Sequence, residues 1–201
     1  DMALTGIVPT LHLAAPRDSA RLREVLREAI SINDAPTVIR FPKGAVPADI
    51  PAFERRDGID VLYRGESADV LLISVGAMAT MAVEAASQAY REGVGVTVID
   101  PRWVKPLPKS LIAMADRYKS VVVVEDGIAH GGIASALSEM FRSAGLDTPM
   151  LEKRTVVYAA ARHANPNRWS GAARNWHPIT EVHLNPNTPK PTEQQNLRKT
   201  A

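Results

Sequence analysis

Two basic side chains lie at the end of a segment that is typical of a buried strand. The β-branched and aromatic run Thr37–Phe41 predicts the strand, with Arg40 near its carboxyl end and Lys43 just beyond it. Open α/β sheets bind ligands at this end of their strands, and a cation there suits a phosphate through charge-assisted hydrogen bonds. Lys43 and Arg40 are therefore candidate phosphate-binding residues. Taken alone, the residues favour the alternative, in which Arg40 pairs with an acid of the following linker and Lys43 is solvated.

The other candidates for chemistry are weaker. Glu125 and Asp126 are adjacent on a predicted strand, so their side chains should point apart and cannot act as a paired acid and base. His130 precedes Gly131 and Gly132, and the two glycines are expected to permit a tight entry into the next helix. We interpret His130 as a surface residue rather than a catalytic one.

A third cluster combines basic and aromatic residues. Arg102, Trp103 and Lys105 have the composition of a small nucleic-acid patch, but Pro106 follows them directly. We expect a packed turn at a domain interface instead, and no nucleic-acid partner. Three further histidines are too irregularly spaced to predict a metal site: His163, His177 and His183.

Composition limits the class of protein. The chain has 201 residues, 45% of them hydrophobic, and no cysteine. Disulfides, thiolate catalysis and zinc–sulfur sites are thereby excluded. The longest apolar runs, such as Val70–Val75, fall far below the roughly 18–20 residues that span a bilayer. Without a recognisable signal peptide, we expect a cytoplasmic protein with no membrane partner.

The elements follow an α/β rhythm in two parts. Residues 1–44 contain a strand at Leu11–Ala14, a helix capped by Asp18 or Ser19, and the strand Thr37–Phe41, which together predict a parallel β-α-β unit. The helix period predicts one buried face, made of Leu22, Val25, Leu26, Ala29 and Ile30.

Residues 45–67 are rich in proline, glycine and charge, which predicts a linker with at most one strand, at Ile59–Tyr63. A second α/β domain is expected over residues 68–152. Its predicted strands are Val70–Val75, Val94–Ile99 and Val121–Glu125, and its helices Ala77–Glu92, Lys109–Tyr118 and a last one from Gly132 to a cap at Gly145. The inward residues predicted for the first of these helices are Met78, Met81, Ala82, Ala85 and Ala89.

The charge balance changes sharply after residue 152. Residues 1–152 hold 16 Lys and Arg against 20 Asp and Glu, a balance of −4, whereas residues 153–201 hold 8 against 2, a balance of +6. We expect an atypical basic tail that is disordered past residue 180. A reading-frame change near residue 152 would explain the loss of hydrophobic period and charge balance together. The alternative is a selected basic extension that binds an acidic partner.

Several motifs in order carry a family resemblance over residues 1 to about 150. The chain resembles the 1-deoxyxylulose-5-phosphate synthases, which are thiamine-diphosphate enzymes of the transketolase type. The matching segments are Asp1–Leu4, Ile7–Pro9, Ala14–Asp18, Asn33–Thr37, Arg40–Gly44, Asp100–Leu107 and Glu125–Gly132.

The resemblance implies a fold and a function. Residues 1–44 would end a pyrimidine-binding domain, and residues 68–152 would form a transketolase C-terminal domain. The full-length family enzyme is a homodimer that uses thiamine diphosphate and Mg²⁺ to condense pyruvate with glyceraldehyde 3-phosphate, on the way to isoprenoids and thiamine. Its cofactor residues precede the segment that corresponds to Asp1, so this chain alone should be inactive and bind no cofactor.

The resemblance also bears on the two candidate cations. The position of Lys43 is usually arginine in the family and is associated with the substrate phosphate, which favours that role for Lys43 and leaves Arg40 open. The alternatives are a β subunit of a 2-oxoacid dehydrogenase or transketolase, and a non-catalytic dimerisation or binding module on the same fold.

Overall fold

The computed structural model describes residues 2–45, 47–127 and 130–146. The chain divides into two compact units, Asp1–Leu146 and Asp147–Ala201, and the described residues all lie in the first. The predicted basic tail at 153–201, its disorder and the frame change near residue 152 fall outside the described residues.

The described residues form α-helices, a short 3₁₀ turn and strands. The helices are α1 (Met2–Gly6), α2 (Ser19–Ser31), α3 (Ala79–Arg91, preceded by a 3₁₀ turn at Gly76–Met78), α4 (Ser110–Ala115) and α5 (Ile133–Ser143). The strands are β1 (His12–Ala14), β2 (Thr37–Ile39), β3 (Glu54–Arg56), β4 (Ile59–Tyr63), β5 (Val70–Ser74), β6 (Val96–Asp100), β7 (Trp103–Lys105) and β8 (Ser120–Val124).

The first sheet has the order β2-β1-β7. Strands β1 and β2 are parallel, with Leu13 opposite Val38, and α2 makes the crossover between them, so the predicted β-α-β unit is confirmed. Strand β7 pairs antiparallel with β1, where Trp103 lies opposite Ala14. The sequence did not predict this strand, because three residues between prolines carry no periodic signal.

Helix α2 begins at the predicted cap, but fewer of its apolar side chains are buried than predicted. The Asp18 carboxylate accepts the backbone N–H of Arg21 at 2.7 Å, which confirms the N-cap. Within the helix only Val25 and Ala29 are buried, whereas Leu26 is 49% and Ile30 72% exposed. The prediction that Leu26 and Ile30 face inward is wrong, because a sheet of three short strands covers only a narrow stripe of the helix.

The second sheet has the order β3-β4-β6-β5-β8. Strands β6, β5 and β8 are mutually parallel, while β4 runs antiparallel to β6 and β3 antiparallel to β4. The segment predicted as a linker with at most one strand thus contains two. Strand β3 escaped prediction because Glu54-Arg55-Arg56 is a charged, largely exposed edge with no apolar alternation.

The buried face of α3 also differs from the prediction. Ala79, Ala82 and Ala86 are buried, whereas Met81 and Ala85, expected to face inward, are exposed. The turn at Gly76–Met78 winds with three residues per turn, and this rotates the phase of the α-helix that follows.

One hydrophobic core joins the two sheets. It combines Leu13 of the first sheet with Ile73 and Ile99 of the second, and α5 adds Leu137 and Phe141. The predicted cap at Gly145 is confirmed, since this residue has a φ of 78° and its N–H donates to the Arg142 carbonyl at 3.0 Å. Among the described residues, no helix is both long and apolar enough to cross a membrane.

Candidate functional site

A cavity of about 330 Å³ opens at the carboxyl ends of β1 and β2. Lys43 lines it, is exposed, and makes no hydrogen bond or ion pair with any residue that the structure describes. The remaining lining is mostly apolar: Pro16, Arg17, Asp18, Ser19, Leu22, Phe41, Pro42, Gly44, Ala45, Pro47 and Ala77. The cavity therefore offers one cation with unused donors beside apolar walls.

The strand geometry explains where Lys43 lies. The Arg40 N–H donates to the Ala14 carbonyl at 2.8 Å, which extends the β1–β2 pairing by one residue. Beyond it the chain leaves the sheet through Pro42, which has no N–H to continue a ladder. Lys43 consequently lies beyond the carboxyl end of β2, close to the first turn of α2, where Asp18 is already the N-cap.

Arg40 lies in a different place from Lys43. It lines a second cavity of about 310 Å³, and its Nη1 is 2.5 Å from the Asp126 Oδ1. Phe41 lines both cavities. The structure thus does not bring the two predicted phosphate ligands into one cavity. The acid that pairs with Arg40 follows β8 rather than lying in the linker, and the sequence carried no signal for this contact.

The neighbouring Arg17 is the centre of a buried charge network that sequence reasoning missed. Its Nη1 lies 2.7 Å from both the Asp60 and the Asp100 carboxylates, and its Nε and Nη2 donate to the Ile50 carbonyl at 3.0 and 2.8 Å. All three charged side chains are essentially inaccessible to solvent. Arg17 is therefore committed to the protein interior, although it borders the Lys43 cavity.

The two carboxyls on Arg17 have pKa values shifted in opposite directions. Burial raises the pKa of Asp100 to about 6, against the opposing effect of Arg17. Burial also acts to raise the pKa of Asp60, but hydrogen bonds from Arg55 and Arg17 outweigh it and hold that pKa below its usual range. The difference follows because Asp60 accepts hydrogen bonds from two guanidinium groups, whereas Asp100 accepts from one.

The basic-aromatic cluster after β6 is packed into the protein. Arg102 is buried and donates to Glu28, and the Trp103 Nε1 donates to the same carboxylate at 2.6 Å. The Lys105 ammonium donates to the carbonyls of Gly6 at 2.8 Å and Val8 at 2.7 Å. These contacts confirm that the cluster is packed against the protein, although its residues Trp103–Lys105 form strand β7 rather than the predicted turn.

Glu125 and Asp126 have different partners, and both follow β8 rather than lying on it as predicted. The Glu125 carboxylate accepts the N–H groups of Ile133 and Ala134 at 3.0 and 2.9 Å and so caps α5. A Cβ on Gly132 would lie 2.5 Å from that carboxylate, so the glycine is what allows the cap. His130 is exposed, in agreement with its interpretation as a surface residue.

Within the described ranges, no three His, Asp or Glu side chains are grouped in a way that could hold a metal ion. The first turn of α5, where backbone N–H groups also converge, is occupied by Glu125. The described residues thus do not fit a magnesium–diphosphate site, and what they offer a ligand is the cation of Lys43.

Comparison with known proteins gives a consistent result. The family model for the transketolase C-terminal domain matches residues 60–169. The 1-deoxy-D-xylulose-5-phosphate synthase of Pseudarthrobacter chlorophenolicus is 52% identical over 157 residues, covering 76% of this chain and 24% of that protein. The synthase of the same name from Mycolicibacterium gilvum is 53% identical over 152 residues, covering 74% and 24%. The chain therefore spans about a quarter of the length of the curated relatives it matches.

Solved structures show the same fold. A split-gene transketolase, described as an inactive β4 tetramer, superposes with a TM-score of 0.63 at 29% identity, over 71% of this chain and 48% of that one. The transketolase of Campylobacter jejuni gives a TM-score of 0.50 at 12% identity, over 69% and 25%, which shows likeness of fold alone.

The family match lies outside the segment that carries Arg40 and Lys43. It begins at Asp60 in β4, contains β5, β6 and β8 of the second sheet, and spans more than half of the chain. The α/β class and the resemblance to 1-deoxyxylulose-5-phosphate synthases, inferred from the motifs, are both confirmed. The chain belongs to the transketolase C-terminal domain family.

Proposed function

We propose that this chain supplies the aldehyde-phosphate side of a thiamine-diphosphate-dependent transferase that condenses pyruvate with glyceraldehyde 3-phosphate to 1-deoxy-D-xylulose 5-phosphate. The product would serve isoprenoid and thiamine precursor synthesis. Relatives with this name, at about half identity, support the reaction. The observation that carries the proposal is the exposed ammonium of Lys43, without a partner among the described residues, at a cavity beyond the carboxyl ends of β1 and β2.

Lys43 would bind the substrate phosphate as a point charge. An ammonium has three donors and no fixed fork, so it accepts a phosphate from several directions and holds it less rigidly than an arginine would. The apolar walls, including Phe41 and Leu22, reduce the water that competes for the charge. A phosphate tethered there would orient the aldehyde end of the triose towards the rest of the enzyme.

The cofactors belong to other parts of the complete enzyme. Thiamine diphosphate, held with Mg²⁺ by residues outside the described ranges, would supply the nucleophile for the condensation. Residues 1–44 complete a pyrimidine-binding domain, residues 45–67 connect it, and residues 68–152 form the C-terminal domain. The active assembly is a cytoplasmic homodimer.

The split-gene neighbour favours a second candidate, a separately encoded transketolase-type subunit. That neighbour is itself an inactive β4 tetramer. Either candidate predicts that the purified 201-residue chain, given thiamine diphosphate and Mg²⁺, turns over neither pyruvate nor the aldehyde. They differ in the aldehyde accepted once the cofactor domain is supplied.

The test is a chimera in which residues 1–146 replace the matching segment of the Pseudarthrobacter chlorophenolicus synthase. Lys43→Ala should raise the KM for glyceraldehyde 3-phosphate about tenfold to a hundredfold, the loss of one charged hydrogen bond of roughly 1.5–3 kcal/mol. The KM for pyruvate should change little, and Lys43→Arg should be tolerated.

Lys119→Ala is the matched control. This lysine precedes β8 at the amino end of the sheet, where its partner is Asp69, and its loss should leave both KM values unchanged. An unchanged aldehyde KM in Lys43→Ala would return Lys43 to the solvated surface and refute the proposal.

A further inference from the structure

An ion pair joins the end of the first sheet to the end of the second. Arg40 follows β2, Asp126 follows β8, and the Arg40 Nη1 lies 2.5 Å from the Asp126 Oδ1. Both side chains are partly shielded, with 21% and 29% of their surface exposed. The contact is therefore more sheltered than a typical surface ion pair.

Asp126 is held in place by its neighbour. The Glu125 carboxylate accepts two N–H groups of α5, from Ile133 and Ala134, in the notch that Gly132 leaves open. Because Glu125 is anchored at both oxygens, the backbone of the next residue has little freedom to move. The carboxylate of Asp126 therefore follows an anchored residue and bonds Arg40 from there.

Arg40 in turn sets the start of the loop that carries Lys43. Its N–H donates to the Ala14 carbonyl at 2.8 Å, and the backbone N–H groups of Lys43 and Gly44 make no backbone hydrogen bond to a described residue. Three residues of chain reach at most about 10–11 Å, so the point at which β2 ends limits where Lys43 can lie.

We propose that Asp126 and Arg40 form a positioning pair for Lys43, and that Arg40 does not itself contact the substrate phosphate. This inference rests on the phosphate-binding role of Lys43. Arg40 lines the neighbouring cavity with Met2, Thr5 and Leu13, while Lys43 lines the cavity that receives the phosphate. Phe41 stands between the two cavities and contributes to both.

The sign of the effect of Asp126→Asn distinguishes the two possible roles of Arg40. If the pair positions Lys43, the chimera with Asp126→Asn should show an aldehyde KM raised about two- to fivefold, the range of a sheltered ion pair, with little change in kcat. Arg40→Gln should raise the KM at least as much, the double variant should be no worse than Arg40→Gln alone, and Asp126→Glu should restore the KM. If Arg40 were a phosphate ligand restrained by Asp126, Asp126→Asn would lower the KM and overturn the proposal.

The control and the remaining outcomes separate this proposal from the proposed function. Asp116→Asn removes an exposed carboxylate after α4 and should change nothing. If Lys43→Ala raises the aldehyde KM while Asp126→Asn and Arg40→Gln do not, the positioning pair is refuted and the function stands. If Lys43→Ala has no effect, the function is refuted, and with it the phosphate role on which the pair depends.

A physical readout on the 201-residue chain needs no activity. Asp126→Asn should accelerate hydrogen exchange of the Arg40 amide several-fold relative to Asp116→Asn, because the bond to Ala14 loses its anchor. Equal exchange rates in the two variants would show that Asp126 does not hold this strand end, and would overturn the positioning role.

Discussion

Replacing Arg17 by methionine should destabilise the folded chain more than any surface change. Methionine retains an unbranched stem like that of arginine but lacks the guanidinium group. The Asp60 and Asp100 carboxylates, each 2.7 Å from the Arg17 Nη1, thereby lose that partner. The Ile50 carbonyl also loses the two hydrogen bonds that it accepts from Arg17. Removing one partner of a buried ion pair costs about 3–5 kcal/mol, and for a unit of this size each kcal/mol lowers Tm by roughly 2–4 °C. We therefore expect Tm to fall by about 6–20 °C.

The assay is urea and thermal unfolding of the 201-residue chain, followed by far-UV circular dichroism. Arg27→Met, an exposed arginine on α2, is the matched control and should shift stability by no more than about 0.5 kcal/mol. A loss below about 1 kcal/mol for Arg17→Met would show that Asp60 and Asp100 do not depend on the guanidinium, and would refute the reasoning.

The cost of Arg17→Met should also grow with pH. The pKa of Asp100 is already raised to about 6, above its unfolded value, so its contribution to stability is fully present below about pH 4 and is lost as pH rises through 6. Without Arg17 the pKa of Asp60 also rises, and the native state then binds more protons than the unfolded state over a wider range. The destabilisation should thus be larger at pH 8 than at pH 5. The opposite order would contradict this account of the network.

Three further substitutions test local features by urea unfolding. Gly132→Ala should lower the free energy of unfolding by about 0.5–2 kcal/mol, because its Cβ would displace the Glu125 cap. Gly6→Ala, with open space at its Cβ, is the control and should be nearly neutral. Equal losses in the two variants would show that the space at Gly132 is unimportant. Lys105→Met should lower the free energy of unfolding by about 1–3 kcal/mol, because the Gly6 and Val8 carbonyls lose the ammonium that donates to them. An unchanged urea midpoint would mean that water replaces the ammonium. Asp18→Ala should cost more than the about 1 kcal/mol of a lost N-cap, because the buried carboxylate also accepts the Ile50 N–H at 3.0 Å and lies 3.3 Å from the Arg17 Nε; a loss of about 1 kcal/mol or less would show that these two contacts add nothing.

Local signals in the sequence predicted the elements whose causes are local. The cap at Asp18, the crossover between β1 and β2, and the buried strands β5 and β6 follow from short-range side-chain chemistry and apolar runs. The place of Lys43 beyond the end of a strand is visible in one segment of the sequence, but its preference as a phosphate ligand came from the family resemblance and stays a prediction.

The rest depends on which distant segments meet. In the sequence, nothing distinguishes Arg17, Asp60 and Asp100 from solvated charges. Only the fold places the Arg17 Nη1 2.7 Å from each of the two carboxylates. The contact of Arg40 with Asp126 spans 86 positions and has no local trace. Leu26 belongs to a buried face by its period, but the width of the sheet it packs against cannot be deduced from its own helix.

Strand β7 has a consequence for the order in which the chain folds during synthesis. It pairs with β1, where Trp103 lies opposite Ala14, 89 positions earlier in the chain. At roughly 5–20 residues per second, a ribosome needs about 4–18 s to make that stretch. For all of this time the β1 edge lacks β7, and Glu28 lacks the indole that it binds in the finished structure. The first sheet is thus made early but completed late, and the nascent chain passes through an interval in which a chaperone or a second unfinished chain could occupy the edge.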